Sequence, residues 1–196
     1  MDDSEIIRLI LNGDRHIFRM LVEKYQSMVF RTCIGFLHNK DDADDLTQDI
    51  FIKVFQSLHS FKAESAFSTW IYRIAVNASL NRVRKNSGNR VFTRFSSFFG
   101  SDNREKGITL PVFDNEDPES ILIKREHSKW VQNALDSLPE NQRTAIVLSK
   151  YDDLSQKEIS EIMKTTEGAV EALIQRAKTN LRIRLSSSYK KNKKTA

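Results

Sequence analysis

Apolar residues recur every three to four positions through two long blocks of this sequence, about 4–85 and 118–185. No stretch shows the sustained two-residue alternation of a half-buried strand. Such a period commits each block to amphipathic helices, whose apolar stripes have to be buried against one another. Six glycines and three prolines in 196 residues leave little to interrupt them. Between the blocks the period is lost among Gly88, Gly100, Gly107, Pro111 and clusters of Ser, Asn and Asp. The expectation is an all-α chain of two small helical domains joined by a flexible linker. The first domain takes 1–86, the linker 87–117, the second domain 118–185 and a basic, disordered tail 186–196. Phe92, Phe95, Phe98, Phe99 and Phe113 are unusual in a free linker and predict that part of it docks.

Local signals place the helices. Residues 4–37 read as two helices broken near Asn12, Gly13 and Asp14. Asp41 is a candidate cap for a helix over 42–58 with an acidic first turn, as the helix dipole prefers. After a loop at His59–Glu64, Ser65 is a candidate cap for a helix running to about Lys85. Asp117 and Pro118 open the second block, with a helix over 118–136. Pro139 starts another, reaching about Lys150, and Asp152–Asp153 form a turn. Ser155 and Glu158 make a capping box for a short helix at 156–163. A turn at Lys164–Thr166 then leads into a long helix ending near Leu185.

Composition removes several classes of function. No apolar run approaches the roughly 18 residues that cross a bilayer, and the start, MDDSEIIRLI, is acidic where a secretory signal is basic. A cytoplasmic protein is expected. Cys33, the single cysteine, lies in an apolar stretch and reads as a small buried hydrophobe. His16, His38, His59 and His127 lack metal-site spacing, and there is no phosphate-binding glycine loop or plausible nucleophile–base pair. Catalysis, metals, cofactors and small-molecule substrates are therefore not expected. Net charge is +5 and unevenly spread. Residues 1–61 hold seven Lys/Arg against ten Asp/Glu, and 62–94 hold seven against one. Residues 95–137 hold five against eight, and 138–196 hold twelve against seven. Two basic blocks separated by acidic ones suit a protein that meets nucleic acid at two places and another partner elsewhere. Ordinary solvated helix faces would give the same charges.

Three surfaces carry more information. On the helix at 42–58, Ala43, Leu46, Ile50, Phe51, Val54, Phe55 and Leu58 share one face, opposite Asp45, Gln48, Asp49, Ile52, Lys53 and Gln56. Solvation explains the charges but not Ile52, so this face is a candidate protein-binding surface. On the helix at 66–85, Phe67, Ile71, Ile74, Ala75 and Ala78 lie to one side and Val76, Leu80 and Val83 to another. Between them runs a stripe of Trp70, Arg73, Asn77, Asn81 and Arg84. Guanidinium for phosphate, amides for base edges and an aromatic for stacking suit a nucleic acid. The pair at 156–163 and 167–185 has the form of a helix-turn-helix with a core of Ile159, Ile162, Val170, Leu173, Ile174, Ala177 and Leu181. Its second helix presents Gly168, Glu171, Ala172, Gln175, Arg176 and Thr179 outward.

These segments together resemble the extracytoplasmic-function (ECF) sigma factors of the sigma-70 family over nearly the whole chain. Asp44 to Val54, reading DDLTQDIFIKV, is similar to the family's acidic polymerase-binding helix. Ser65 to Asn77, reading SAFSTWIYRIAVN, closely matches its F-x-T-W-L-Y-R-I-A-x-N signature. Leu138–Pro139–Glu140, Leu154 to Ser160 and Gly168–Ala169–Val170 are similar to elements of its second DNA-binding domain. The resemblance implies an alternative sigma factor that directs core RNA polymerase to specific promoters. Asp45, Gln48, Asp49 and Ile52 would dock on polymerase. Ser57, Leu58, Ser60, Phe61 and Asn77 would form a pocket for a flipped-out base of the downstream promoter element. Trp70, Arg73, Asn81 and Arg84 would join them in DNA binding, the helix-turn-helix would read the upstream element as duplex, and an anti-sigma factor would be a further partner. Glu171–Ala172–Leu173 departs from the basic residues that many members carry there and is more like a variant of the Bacteroidetes branch. Two other readings stay open: a helix-turn-helix regulator that never joins polymerase, and, with little support, an enzyme acting on nucleic acid.

Overall fold

The computed structural model describes residues 1–96 and 128–192, with side chains at 1–86 and 128–186. Helix α1 (Asp3–Leu11) is capped by Asp2, whose carboxylate accepts the Asp3 N–H at 2.7 Å, and buries Ile6, Ile7 and Ile10. Gly13, at φ 111, makes the expected break. A single 3-10 turn at Arg15–Ile17 follows, then α2 (Phe18–Leu37). Asp3 ties α1 to α2 by accepting from Lys24 Nζ at 2.6 Å and from the Tyr25 hydroxyl at 2.5 Å. Burial, then the neighbouring Asp3, push the Tyr25 phenol up to about 12.

Helix α2 ends at His38 in the left-handed region (φ 56). That turn leaves Asn39 extended, and its side chain accepts the Asp42 N–H at 3.0 Å. Asn39, not Asp41, is therefore the cap, and α3 spans Lys40–Ser57 with Asp41 in its first turn. A 3-10 turn at Leu58–Ser60 leads to α4 (Phe67–Ser96). The Ala66 carbonyl accepts the Trp70 N–H, so Ala66 rather than Ser65 occupies the cap position. Helix α4 continues past Lys85 into the segment read as linker. Gly88 costs a helix interior only about 1 kcal/mol relative to alanine, and a helix already nucleated propagates cheaply.

In the second block, α5 is helical over 128–136, and Pro139 caps α6 (Glu140–Tyr151). The expected start at Asp117–Pro118 and the phenylalanines Phe98, Phe99 and Phe113 lie outside the described residues. Arg143 is buried (3% exposed) and joins α5 to α6, donating to the Leu135 carbonyl and to Asp136, each at 3.0 Å. The Ser155–Glu158 capping box opens α7 (Gln156–Met163) as expected. Lys164 turns the chain at φ 53, and the Thr166 hydroxyl accepts the Ala169 N–H at the start of α8 (Glu167–Asn192). This last helix extends past Leu185 into the segment expected to be a disordered tail. No strand occurs among the described residues.

The cores of the two domains merge, α2 packing on α6 and α4 on α7. Cys33 is fully buried, as its apolar setting predicts, with the Ser79 hydroxyl 3.8 Å from its sulfur. Burial pushes its thiol pKa up, which keeps it protonated and unreactive.

Candidate nucleic-acid and partner interfaces

On α3 the inner face is built as its period predicts. Ala43, Leu46, Ile50, Phe51 and Val54 are buried, Phe55 is half-buried, and Leu58 just beyond the helix is fully covered. Asp45, Gln48, Asp49 and Ile52 are all exposed on the outer face, Ile52 at 56%. An isoleucine ringed by carboxylates and an amide offers an apolar contact inside a negative rim. Asp49 also stands 3.8 Å from Arg82 of α4, too far for a strong bond.

The loop after α3 is held by its own hydroxyls. Ser57 Oγ donates to the Lys53 carbonyl and Ser60 Oγ to the Ser57 carbonyl, both at 2.6 Å. Leu58 is 1% exposed, so it supports this loop from the core and presents no side chain to a base. Phe61 is half-buried, its ring centroid 5.2 Å from Phe67 and 5.5 Å from Trp70. Trp70 in turn stacks on Phe67 at 5.6 Å and 26°. These three rings fix the loop against the first turn of α4. Trp70 is thus a partly buried member of an aromatic cluster rather than a free stacking platform.

Further along α4, Arg73 is half-buried while Asn77, Asn81 and Arg84 are exposed. The two arginines already have partners in the second domain. Arg73 Nη2 donates to the Glu161 carbonyl at 2.8 Å. Arg84 grips the Glu140 carboxylate at 2.6 and 2.5 Å and also reaches Asn81 at 3.0 Å. The pairing holds Glu140 below the usual carboxylate range and raises Arg84. Both partners are about half exposed and screened by solvent, so the value of the pair is positional. Arg73, Val76, Asn77 and Leu80 line one wall of an open cleft of about 360 Å³, opposite Asn141, Thr144, Ile162, Met163 and Lys164.

Several residues at this contact carry no signal in a one-helix reading. Asp152, whose side chain is fully covered, accepts from the Thr32 hydroxyl at 2.9 Å, while Arg31 Nε lies 3.4 Å away without hydrogen-bond alignment. Burial raises the Asp152 carboxyl, opposed by Thr32 and Arg31. His38 Nε2 stands 3.6 Å from Asp136. Gly35 is buried against Val147 and Tyr151 of α6, and a Cβ there would meet Val147 Cγ1 at 2.7 Å. A glycine in the middle of α2 was the one available signal.

In the helix-turn-helix, Ile159, Ile162, Val170, Ile174 and Ala177 are buried, and Leu173 and Leu181 are partly so. Gly168, Glu171, Ala172, Gln175, Arg176 and Thr179 all lie exposed on the outer face of α8, where the 3.6-residue period puts them. Among the described residues, no group of three or more His, Cys, Asp or Glu is placed to hold a metal, and no helix is long and apolar enough to cross a membrane.

Two helical domains, one bearing an acidic–apolar face and a polar stripe, the other a helix-turn-helix, have the form of a DNA-binding protein with a second surface open to a protein partner. Sequence comparison specifies which. Residues 21–88 match the family model of Sigma-70 region 2, and residues 128–181 that of Sigma-70 region 4. The chain is 33% identical to the RNA polymerase sigma-H factor of Pseudomonas aeruginosa over 90% of each chain. It is 32% identical to the ECF RNA polymerase sigma factor SigW of Bacillus subtilis, covering 91% of this chain and 94% of that one. With the ECF sigma-E factor of Escherichia coli it shares 34% identity over 91% of each. The fold is also that of CnrH, solved with the cytosolic domain of CnrY (TM-score 0.61, 22% identity, 94% and 97% covered). RpoE of Bartonella quintana, solved with the anti-sigma factor NepR, is similar too (TM-score 0.58, 22% identity, 86% and 96% covered). The chain belongs to the ECF group of the sigma-70 family and is an alternative RNA polymerase sigma factor.

Proposed function

We propose that this sigma factor works through three separate surfaces. Asp45, Gln48, Asp49 and Ile52 dock on core polymerase. The loop carrying Ser57, Ser60 and Phe61, together with Trp70, Arg73, Asn77, Asn81 and Arg84, captures and helps open the downstream promoter element. Gly168, Glu171, Ala172, Gln175, Arg176 and Thr179 face the upstream duplex, in the arrangement of a Bacteroidetes-like variant. The observation that carries the reading is Ile52, 56% exposed at the centre of an acidic face on an otherwise well-packed helix. An apolar side chain with a complementary rim is the usual anatomy of a binding surface.

The protein acts in the cytoplasm, catalyses nothing and is held by an anti-sigma factor. Support for that last partner comes from the family resemblance and from the related fold of RpoE, solved with its anti-sigma factor. The test is binding to purified core polymerase. Asp45→Arg combined with Gln48→Ala is expected to abolish association while leaving circular dichroism unchanged. Undiminished binding would remove this surface from the reading. Failure of the unaltered chain to bind core at all would leave a DNA-binding regulator that works without polymerase.

A further inference from the structure

Helix α8 is longer than its helix-turn-helix needs. Asn180 Nδ2 donates to Gln142 on α6 at 2.8 Å, and Leu181, half-buried, is the last core residue among the described ones. The helix nevertheless runs on to Asn192, 26 residues and about 39 Å in all. Just past Leu181, Arg182 and Ile183 are exposed, Ile183 at 60%.

The charges of this helix are sorted by sign. Glu167 and Glu171 stand in its first two turns, whereas residues 172–196 hold eight Lys/Arg and no Asp/Glu. A helix end prefers cations, but only over its last turn, which leaves Lys178 and Arg182 unexplained. A solvated face mixes the two signs, so that neighbours three or four apart pair. Lys178 and Arg182 are four apart, alike in sign and both exposed. At 100° per residue they continue the exposed row of Gly168, Glu171 and Gln175. Along the axis they lie about 10 and 16 Å beyond Glu171.

The major groove is about 12 Å wide. A recognition helix with its first turns on base edges carries residues that far along it out of the groove and onto the flanking strand. The C-terminal end of the homeodomain recognition helix meets the backbone in this way. Cations placed there hold phosphates, which fix position and carry no sequence information.

We propose that the C-terminal half of α8 is a second DNA contact, a sequence-independent clamp. Lys178, Arg182 and the lysines from Lys190 onward hold duplex phosphates flanking the upstream element, and so offset the repulsion that Glu171 brings to the groove. The proposal rests on the reading of the outer face of α8 as the upstream reader.

The experiment titrates the full chain against a fluorescein-labelled, mixed-sequence duplex across a salt series. Arg182→Gln should flatten the log–log salt dependence by about 0.9, the share of one phosphate contact. Lys190→Gln with Lys191→Gln should flatten it further and weaken binding at low salt. Arg8→Gln, the loss of an exposed charge on α1, should change neither. The proposal is overturned if Arg182→Gln and the paired lysine change leave slope and affinity as they were. It is overturned equally if Arg8→Gln matches them, since net charge alone would then account for the effect. Variants that keep duplex affinity but lose core polymerase would also overturn it, giving this end of α8 to an acidic protein surface. The upstream reader is tested apart, by the preference of the unaltered chain for a duplex carrying the upstream element of a promoter it uses. No preference, with the salt effect intact, would remove the reader and keep the clamp.

Discussion

Gly35 on α2 and Val147 on α6 approach so closely that a Cβ on Gly35 would stand 2.7 Å from Val147 Cγ1. The contact makes a specific prediction about paired substitutions. Gly35→Ala should widen the gap between domains, and Val147→Ala should restore part of the closure by removing the clashing methyl. Residues in direct contact couple by about 0.5–3 kcal/mol in a double-mutant cycle, whereas distant ones add. Pulsed dipolar spectroscopy between spin labels at Lys62 and Lys178, both exposed, would read the populations. Strict additivity of the two substitutions would show that the contact does not hold the domains together.

Asn77 is exposed on α4 beside the cleft, with no core role visible in its surroundings. Asn77→Ala should therefore leave polymerase binding and initial promoter association nearly intact. It should lower the rate of open-complex formation, because a captured base offsets an unstacking cost of a few kcal/mol. Permanganate footprinting on a promoter used by this factor would separate the two steps. Equal loss at both would mark the asparagine as structural.

Asp152 adds a pH dependence to domain closure. Its carboxyl is raised by burial, with Thr32 and Arg31 opposing and Asp153 reinforcing the shift. The closed form therefore binds the proton more tightly than an open form in which the group is hydrated. Closure is strengthened as pH falls from neutrality toward the ordinary value of 3.8, and weakened as pH rises through the raised value. Asp152→Asn keeps an oxygen for Thr32 and removes the buried charge. It should flatten this pH dependence, as read by scattering across a pH series.

The capping box of α7 titrates the other way. Glu158 accepts from Ser155 N at 2.9 Å and Ser155 Oγ at 2.6 Å, and these bonds lower its pKa. The stability it lends is complete above the ordinary value of 4.5 and is lost as pH falls through the lowered one. Ser155→Ala should cost about 1 kcal/mol, measured by urea unfolding at neutral pH, and less in acid.

Where the chain's own neighbours decide the structure, it could be read from the sequence. The face carrying Ile52, the Ser155–Glu158 box and the exposed row from Gly168 to Thr179 follow from helical period and caps within a few residues. The cap at Asn39 did not, because the left-handed turn at His38 sets which residue is extended. Nor did the pairing of Arg84 with Glu140, 56 residues apart, or of Thr32 with Asp152, 120 apart. Arg84 looks free for phosphate in any one-helix projection, and only the packing of α4 on the second domain shows what it holds.

Glu171 provides the test of the upstream reader. It is exposed on the outer face of α8, one turn into the helix, among Gly168, Ala172 and Gln175. A carboxylate there repels the phosphates of a duplex brought against that face, and Lys178, two turns on, supplies the nearest exposed positive charge on the same row. Glu171→Lys replaces repulsion with a phosphate contact. It should raise affinity for all duplexes alike and steepen the log–log salt dependence by about 0.9 for the one added contact. Specificity for the native upstream element should fall, because the added energy does not depend on sequence. If Glu171 instead accepts from a cytosine amino group, the substitution would lower affinity for the native element while raising it for random DNA. Titrations of both duplexes across a salt series separate a repulsive carboxylate from a base-reading one.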